Sequence, residues 1–265
     1  MTATPGVGWP RRRRTVLDRL LDRLDRLGPL RAHRFGHGDD DSGDGDAEAD
    51  VLAAVRESAR GVHERLAHDH DVFAVELVGA TGSGKTALVE RLLERHGTDG
   101  VAVVAGDVAG TDDADRLREH GVPVVDVTTG RDCHLDPERL DGALDDLELD
   151  TLDRLYVENV GNMVCPADFP LGAHVRAVVV SPTEGEDVVR KHPMLFQACD
   201  AAVVNKVDVA DAVGADVDTM VADAERVAPE LPVVTTSAST GRGLDDLAAL
   251  LERRRARHAR GHGHA

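Results

Sequence analysis

Residues 79–86 read GATGSGKT, with the apolar run VFAVELV directly before them and the amphipathic stretch GKTALVERLLERHG opening inside them. A loop of the form G-x-x-x-x-G-K-[ST] between a strand and a helix is built to hold phosphate. Gly79, Gly82 and Gly84, with Ser83 among them, let backbone N–H groups curl around phosphate oxygens. Lys85 brings a positive charge to the β- and γ-phosphates, Thr86 offers a hydroxyl to Mg²⁺, and the helix N-terminus adds its dipole. The loop also constrains the fold, because it requires a strand that ends where a helix begins.

The rest of the chain meets that requirement repeatedly. After VFAVELVG come VAVVAGD, PVVDVT, RLYVENVG, VRAVVVS, AAVVNKVD and LPVVTTSA, most of them separated by helical stretches such as DPERLDGALDDL. The runs are nearly continuous in Val and Ala, as strands covered on both faces should be. We therefore expect an α/β fold, a mostly parallel sheet wound by helices on both faces, with its ligands at the carboxyl ends of the strands.

Base choice is expected from NKVD, Asn205, Lys206 and Asp208, at the end of AAVV. An aspartate there accepts hydrogen bonds from guanine N1–H and the 2-amino group, a pattern adenine lacks. Ser237-Ala238 offers backbone toward guanine O6. The chain's lysines are Lys85, Lys191 and Lys206, so two of them fall in these motifs; Lys191 has no role legible in the sequence. These features predict a GTPase rather than a small-molecule kinase, since no acceptor site is evident.

A γ-phosphate sensor is expected in ENVG, where Glu158 would hold a Mg²⁺-bound water and the Gly161 N–H would meet the γ-phosphate. Asn162 follows in place of a water-orienting glutamine, which predicts slow unassisted hydrolysis. Asp107, at the end of VAVVAGD, is a second candidate carboxylate for Mg²⁺ or its water; the alternative is an ordinary loop or helix-start aspartate.

A net charge of −18 argues against a nucleic-acid partner. No apolar run is long enough to span a membrane, and RRRR near the start has no apolar segment behind it, so a cytoplasmic protein is expected. Three cysteines do not make a disulfide framework. Residues 1–46, with a short amphipathic segment and the acidic linker GHGDDDSGDGDAEAD, read as an extension. Residues 47–254 read as the working domain, opened by a helix at about 48–68 whose apolar stripe is Val51, Leu52, Val55, Ala59, Val62 and Leu66. Residues 255–265 read as a histidine-containing tail.

Cys133, His134 and Cys165 lie in loops beyond PVVDV and RLYV, on the edge that carries the phosphate loop. Two sulfurs and an imidazole suit Zn²⁺ or Ni²⁺ but fall one short of a closed tetrahedral site, so a water or a second chain must complete it. A Cys–His nucleophile is a weaker alternative, because no oxyanion donor accompanies it. Cys199, in FQACDAAVV, reads as a core residue.

Taken together, GSGKT, GDVAGTDDADRLREHGVPVVDVTTGRDCHLD, ENVGNMVCP, TEGEDVVRKHPMLF and NKVD resemble the hydrogenase nickel-incorporation GTPases HypB over roughly residues 47–252. The resemblance implies a P-loop GTPase of the SIMIBI class that dimerises on binding GTP. It also implies delivery of nickel during [NiFe] hydrogenase maturation, with a HypA-like accessory protein and the hydrogenase large subunit as partners. Cys133, His134 and Cys165 match the family's metal site at the dimer interface. The N-terminal cysteine motif of many bacterial members is absent, and histidines such as His63, His68, His70 and His258 are scattered rather than clustered. Two rival readings are a urease-type chaperone like UreG, which would carry Cys-Pro-His, and a metal buffer with a vestigial GTP site.

Overall fold

In the computed structural model, which describes residues 44–107, 110–130, 134–164, 167 and 169–262, all seven apolar runs form strands. They are β1 (Phe73–Val78), β2 (Val101–Asp107), β3 (Val124–Thr128), β4 (Arg154–Glu158), β5 (Val175–Val180), β6 (Ala201–Val204) and β7 (Val233–Thr235). The sheet order is β3-β2-β4-β1-β5-β6-β7, and every neighbouring pair is parallel. The expected mostly parallel sheet is thus parallel throughout. Composition explains the order: β1, β4, β5 and β6 are buried along their whole length, whereas β3 and β7, at the edges, are only partly covered and carry Asp126, Thr128 and Thr235.

Helices cover both faces. They are α1 (Asp44–Glu64), α2 (Lys85–His96), α3 (Asp112–Arg118), α4 (Pro137–Leu144), α5 (Val217–Val227) and α6 (Leu244–His262), with short helical turns at Val188–Lys191, Pro193–Gln197 and Ala210–Val213. On one face Phe73, Val75, Leu77, Val103 and Tyr156 meet Leu88 and Leu92 of α2 and Leu244, Leu247 and Leu251 of α6. The opposite face holds two apolar clusters. One packs Ala74, Val104 and Val157 under Val62, Leu140 and Leu144; the other packs Val78, Val178 and Val204 under Phe196, Met220 and Ala224. Where the two meet, the β1–β5 register sets Glu76 opposite Arg176.

Two elements differ from the sequence expectation in extent. The expected stripe reaches the sheet only at its carboxyl end: Ala59 and Val62 of α1 and Leu66 in the helical turn Arg65–Asp69 that follows are buried, while Val51 is 58% exposed. Helix α6 continues past residue 254 to His262, and His258 packs its ring against His174 at 4.1 Å between centroids. His63 lies 4.7 Å from the same His174 ring. His174 accepts a hydrogen bond from the Ala74 N–H at Nδ1, and His63 Nδ1 faces the Gly172 carbonyl at 2.9 Å. These histidines join α1 and α6 to the amino-terminal edge of the sheet, the edge away from the phosphate loop.

Candidate functional site

The carboxyl ends of β1, β2 and β4 converge on one cavity of about 340 Å³ lined by Gly82, Gly84, Lys85, Thr86, Asp107, Glu158 and Gly161, among others. All of these were expected from the sequence. Lys85 Nζ donates to the carbonyls of Gly79 and Ala80 at 3.2 and 3.3 Å. Burial lowers its pKa, against the pull of Glu158, Asp113, Glu184 and Asp107. To engage a phosphate the ammonium has to leave the Gly79 and Ala80 carbonyls. Gly161 lies against the phosphate loop: a Cβ there would stand 2.1 Å from Thr81 Oγ1, and that hydroxyl donates to the Gly161 carbonyl at 3.3 Å. Only a glycine lets the two loops approach this closely.

Thr86 Oγ1 donates to Glu158 Oε1 at 2.8 Å. Burial pushes the Glu158 carboxyl up to about 7, against the pull of Lys85 and the Thr86 hydroxyl. Its Oε2 is buried with no hydrogen-bond partner among the described residues. With Asp107 on the same cavity wall, the donor set is all oxygen and carries negative charge, which fits a hard divalent ion such as Mg²⁺. The Asn162 side chain accepts from the Val164 N–H at 2.7 Å, within its own loop.

A second cavity, also about 340 Å³, is lined by Asn205, Lys206, Asp208, Val209, Ala238 and Ser239, with α2 as its other wall. Lys206 borders both cavities and ties them together by donating to the Gly82 carbonyl at 2.6 Å. Its backbone is left-handed, with φ of 59°. The Asn205 amide donates to the Ser83 carbonyl at 3.1 Å, while its Oδ1 accepts from Thr236 Oγ1 and the Ala238 N–H. Ser237 and Ser239 hydroxyls hold the Asp208 carboxyl below its usual range, so it is a pure acceptor at neutral pH. The Ser237-Ala238 turn is fixed from below by Arg91, whose Nε donates to the Ala238 carbonyl at 2.8 Å.

Of the candidate metal ligands, Cys133 and Cys165 lie outside the described residues. His134 is half-buried and stacks on Phe169, ring centroids 4.2 Å apart and planes 28° from parallel. Among the described residues no group of three or more His, Cys, Asp or Glu is disposed to hold a metal ion. Cys199 is fully buried, as expected. Lys191 pairs with Asp187 at 2.7 Å on the surface.

Sequence reasoning missed Asn159, Glu76 and Arg176. All three are buried, and the Asn159 amide donates to Glu76 at 2.8 Å while Arg176 grips the same carboxylate. The available signal was a charge inside each of two otherwise apolar runs, FAVELV and VRAVVV. Arg116 and Asp113 of α3, which line the phosphate cavity, were missed as well.

Residues 73–235 match a family model described as the CobW/HypB/UreG nucleotide-binding domain. The chain is 44% identical over 209 residues to the probable hydrogenase maturation factor HypB of Methanocaldococcus jannaschii, covering 78% of this chain and 94% of that one. Among solved structures it is similar to the hydrogenase maturation factor HypB of Archaeoglobus fulgidus. There the TM-score is 0.71 at 40% identity, covering 77% of this chain and 99% of the other. It is also similar to HypB of Helicobacter pylori in complex with nickel, with a TM-score of 0.73 at 34% identity, covering 77% and 97%.

Proposed function

The chain belongs to the CobW/HypB/UreG family of P-loop GTPases and, within it, to the hydrogenase maturation factors HypB, and on that premise we propose that it delivers nickel under the control of GTP. In this reading Cys133, His134 and Cys165 carry the ion, and two copies of the chain, brought together by GTP, complete its coordination. Zn²⁺ is the competing ion for such a sulfur–nitrogen set. A HypA-like accessory protein and a hydrogenase large subunit are the partners, and the setting is cytoplasmic.

The nucleotide half of the cycle follows from named groups. Asp208 takes the guanine N1–H and 2-amino hydrogens, and the Ser237-Ala238 backbone faces O6. The loop from Gly79 to Gly84 wraps the phosphates with Ser83 inside it, and Lys85 turns from its two carbonyls to the β/γ oxygens. The Thr86 hydroxyl, with Glu158 and Asp107 behind it, would hold a Mg²⁺, which when bound would supply charge neutralisation at the γ-phosphate. The Gly161 N–H reaches the same γ-phosphate. Water attacks phosphorus in line, the bond to the β-phosphate oxygen breaks, and GDP leaves. With the Asn162 side chain accepting from the Val164 N–H, no side chain among the described residues is set to orient that water, so unassisted turnover is slow.

The observation that carries the reading is a spacing. Glu158 and Gly161, at the phosphate cavity, are followed within a few residues by Cys165, so one loop answers to the nucleotide and bears a metal ligand. Nickel-loaded protein mixed with a chromogenic chelator tests it. Release should accelerate on adding Mg²⁺·GTP and stay at the basal rate with a non-hydrolysable analogue. Equal release with GTP, the analogue and GDP would overturn the reading.

A further inference from the structure

One closed ring of contacts joins the γ-phosphate loop to His134. Starting at β4, Asn159 directly follows Glu158. Its Oδ1 accepts from two backbone groups, the Leu135 N–H and its own neighbour Val160 N–H, each at 2.9 Å. Two N–H groups on the oxygen fix which way the amide points, and Nδ2 then donates to Glu76 Oε1 at 2.8 Å. Glu76 in turn accepts from Arg176 Nε at 2.8 Å and from an Arg176 terminal nitrogen at 3.2 Å. That same nitrogen donates to the Phe169 carbonyl at 2.6 Å. Phe169 stacks on His134, and His134 is bonded to Leu135, where the ring closes.

Glu76, Asn159 and Arg176 are each 1% exposed. An ion pair in the seam between two apolar clusters is not what stability alone would select, because apolar residues of similar volume serve at least as well there. The pair holds two segments that an apolar pair could not hold: the loop after β4, through Asn159, and the loop leading to β5, through Phe169. Both backbone anchors flank the half-buried imidazole of His134.

We infer that Asn159, Glu76 and Arg176 are positioning residues that transmit the state of the γ-phosphate loop to His134, so that nickel affinity depends on which guanine nucleotide is bound. The inference rests on the nickel reading above and names its internal linkage. When Glu158 and Gly161 rearrange around a γ-phosphate, Asn159 must move with them. It then carries the Leu135 N–H on its oxygen and disturbs the Glu76–Arg176–Phe169 arm on its nitrogen. His134 is held from both sides, by chain connection and by ring stacking, so neither movement leaves it in place.

The test measures nickel affinity by chelator competition with GDP bound and with a non-hydrolysable GTP analogue bound. It compares the full wild-type chain, Asn159→Ala, and the double variant Glu76→Leu/Arg176→Met. The double variant removes both charges together, so no unpaired ion is buried and folding is retained. A fluorescent guanine nucleotide checks that nucleotide binding persists in each protein. The wild-type affinities should differ by roughly 5- to 150-fold between the two nucleotides, the usual span of coupling between sites. In both variants that ratio should fall to near one, and the double variant, whose residues lie outside the phosphate cavity, should also keep its nucleotide affinity. Wild-type ratios retained in either folded variant would overturn the relay and leave the nickel reading standing. A wild-type ratio of one would overturn the nickel reading itself, and the relay with it.

Discussion

At the scale of single residues, two carboxylates do opposite things because their surroundings differ. Asp208 lies at the surface between serine hydroxyls that keep it ionised, which suits a hydrogen-bond acceptor for guanine. Replacing it by Asn exchanges one acceptor for a donor amide. Asp208→Asn should weaken GTP binding by about 2–4 kcal/mol, the loss of two charge-assisted hydrogen bonds, and should raise relative affinity for a base with a carbonyl at C2, measured by nucleotide competition. Glu184, by contrast, is pushed up to about 7, mainly by burial, with Lys85 and Lys206 pulling the other way. The sign follows from linkage: an acid whose folded pKa is raised binds its proton more tightly in the folded state. Its stabilising contribution is full below about 4.5 and is lost as pH rises through about 7. Glu158, raised to about 7 as well, acts in the same window, so nucleotide-free protein should lose melting temperature between pH 5 and 8, and Glu184→Gln should reduce that slope without abolishing it. An unchanged slope in the variant would assign the pH dependence to other groups. The motif residues lining the two cavities were legible because each motif has a fixed spacing tied to one chemistry. Asn159 was not, since its role lies in partners at Glu76 and Leu135 that only the fold brings near.

Between elements, the decisive contact is that of the residue capping α2, Gly84, with the residue that follows β6, Asn205. Gly84 starts α2 with φ of +96°, and a Cβ there would stand 2.4 Å from Asn205 Nδ2. Gly84→Ala should cost about 1–3 kcal/mol in stability from backbone strain, and it should abolish guanine-nucleotide binding because Asn205 would lose its hold on the Ser83 carbonyl. Thermal unfolding and nucleotide titration together check both halves. The strands were readable in full because continuous Val and Ala runs have few other uses in a chain this charged. The helices were less so. Periodicity located the α1 stripe but not how far it overhangs, and Val51 remains exposed. The carboxyl-terminal histidines read as a polar tail, yet His258 packs against His174 in the folded protein. No local signal distinguishes a histidine that stacks on another from one that faces water.

For the whole molecule, the parallel sheet separates two tasks along its length. The amino-terminal edge is closed by His63, His174 and His258 and has a holding role. The carboxyl-terminal edge gathers the phosphate loop, the cavity lined by Asn205 and Asp208, and His134, so the proposed nucleotide site lies on the same edge as the proposed cargo ligand. A site one ligand short invites a second chain, and nucleotide-dependent pairing is the central claim. Sedimentation velocity of the full chain with Ni²⁺, in GDP or in a non-hydrolysable GTP analogue, tests it most directly. The account predicts monomer with GDP and a dimer with the analogue. Nickel should co-sediment with that dimer, and Cys165→Ala should form the dimer without its nickel. One nickel per monomer, unaffected by nucleotide and without a change in sedimentation, would contradict it.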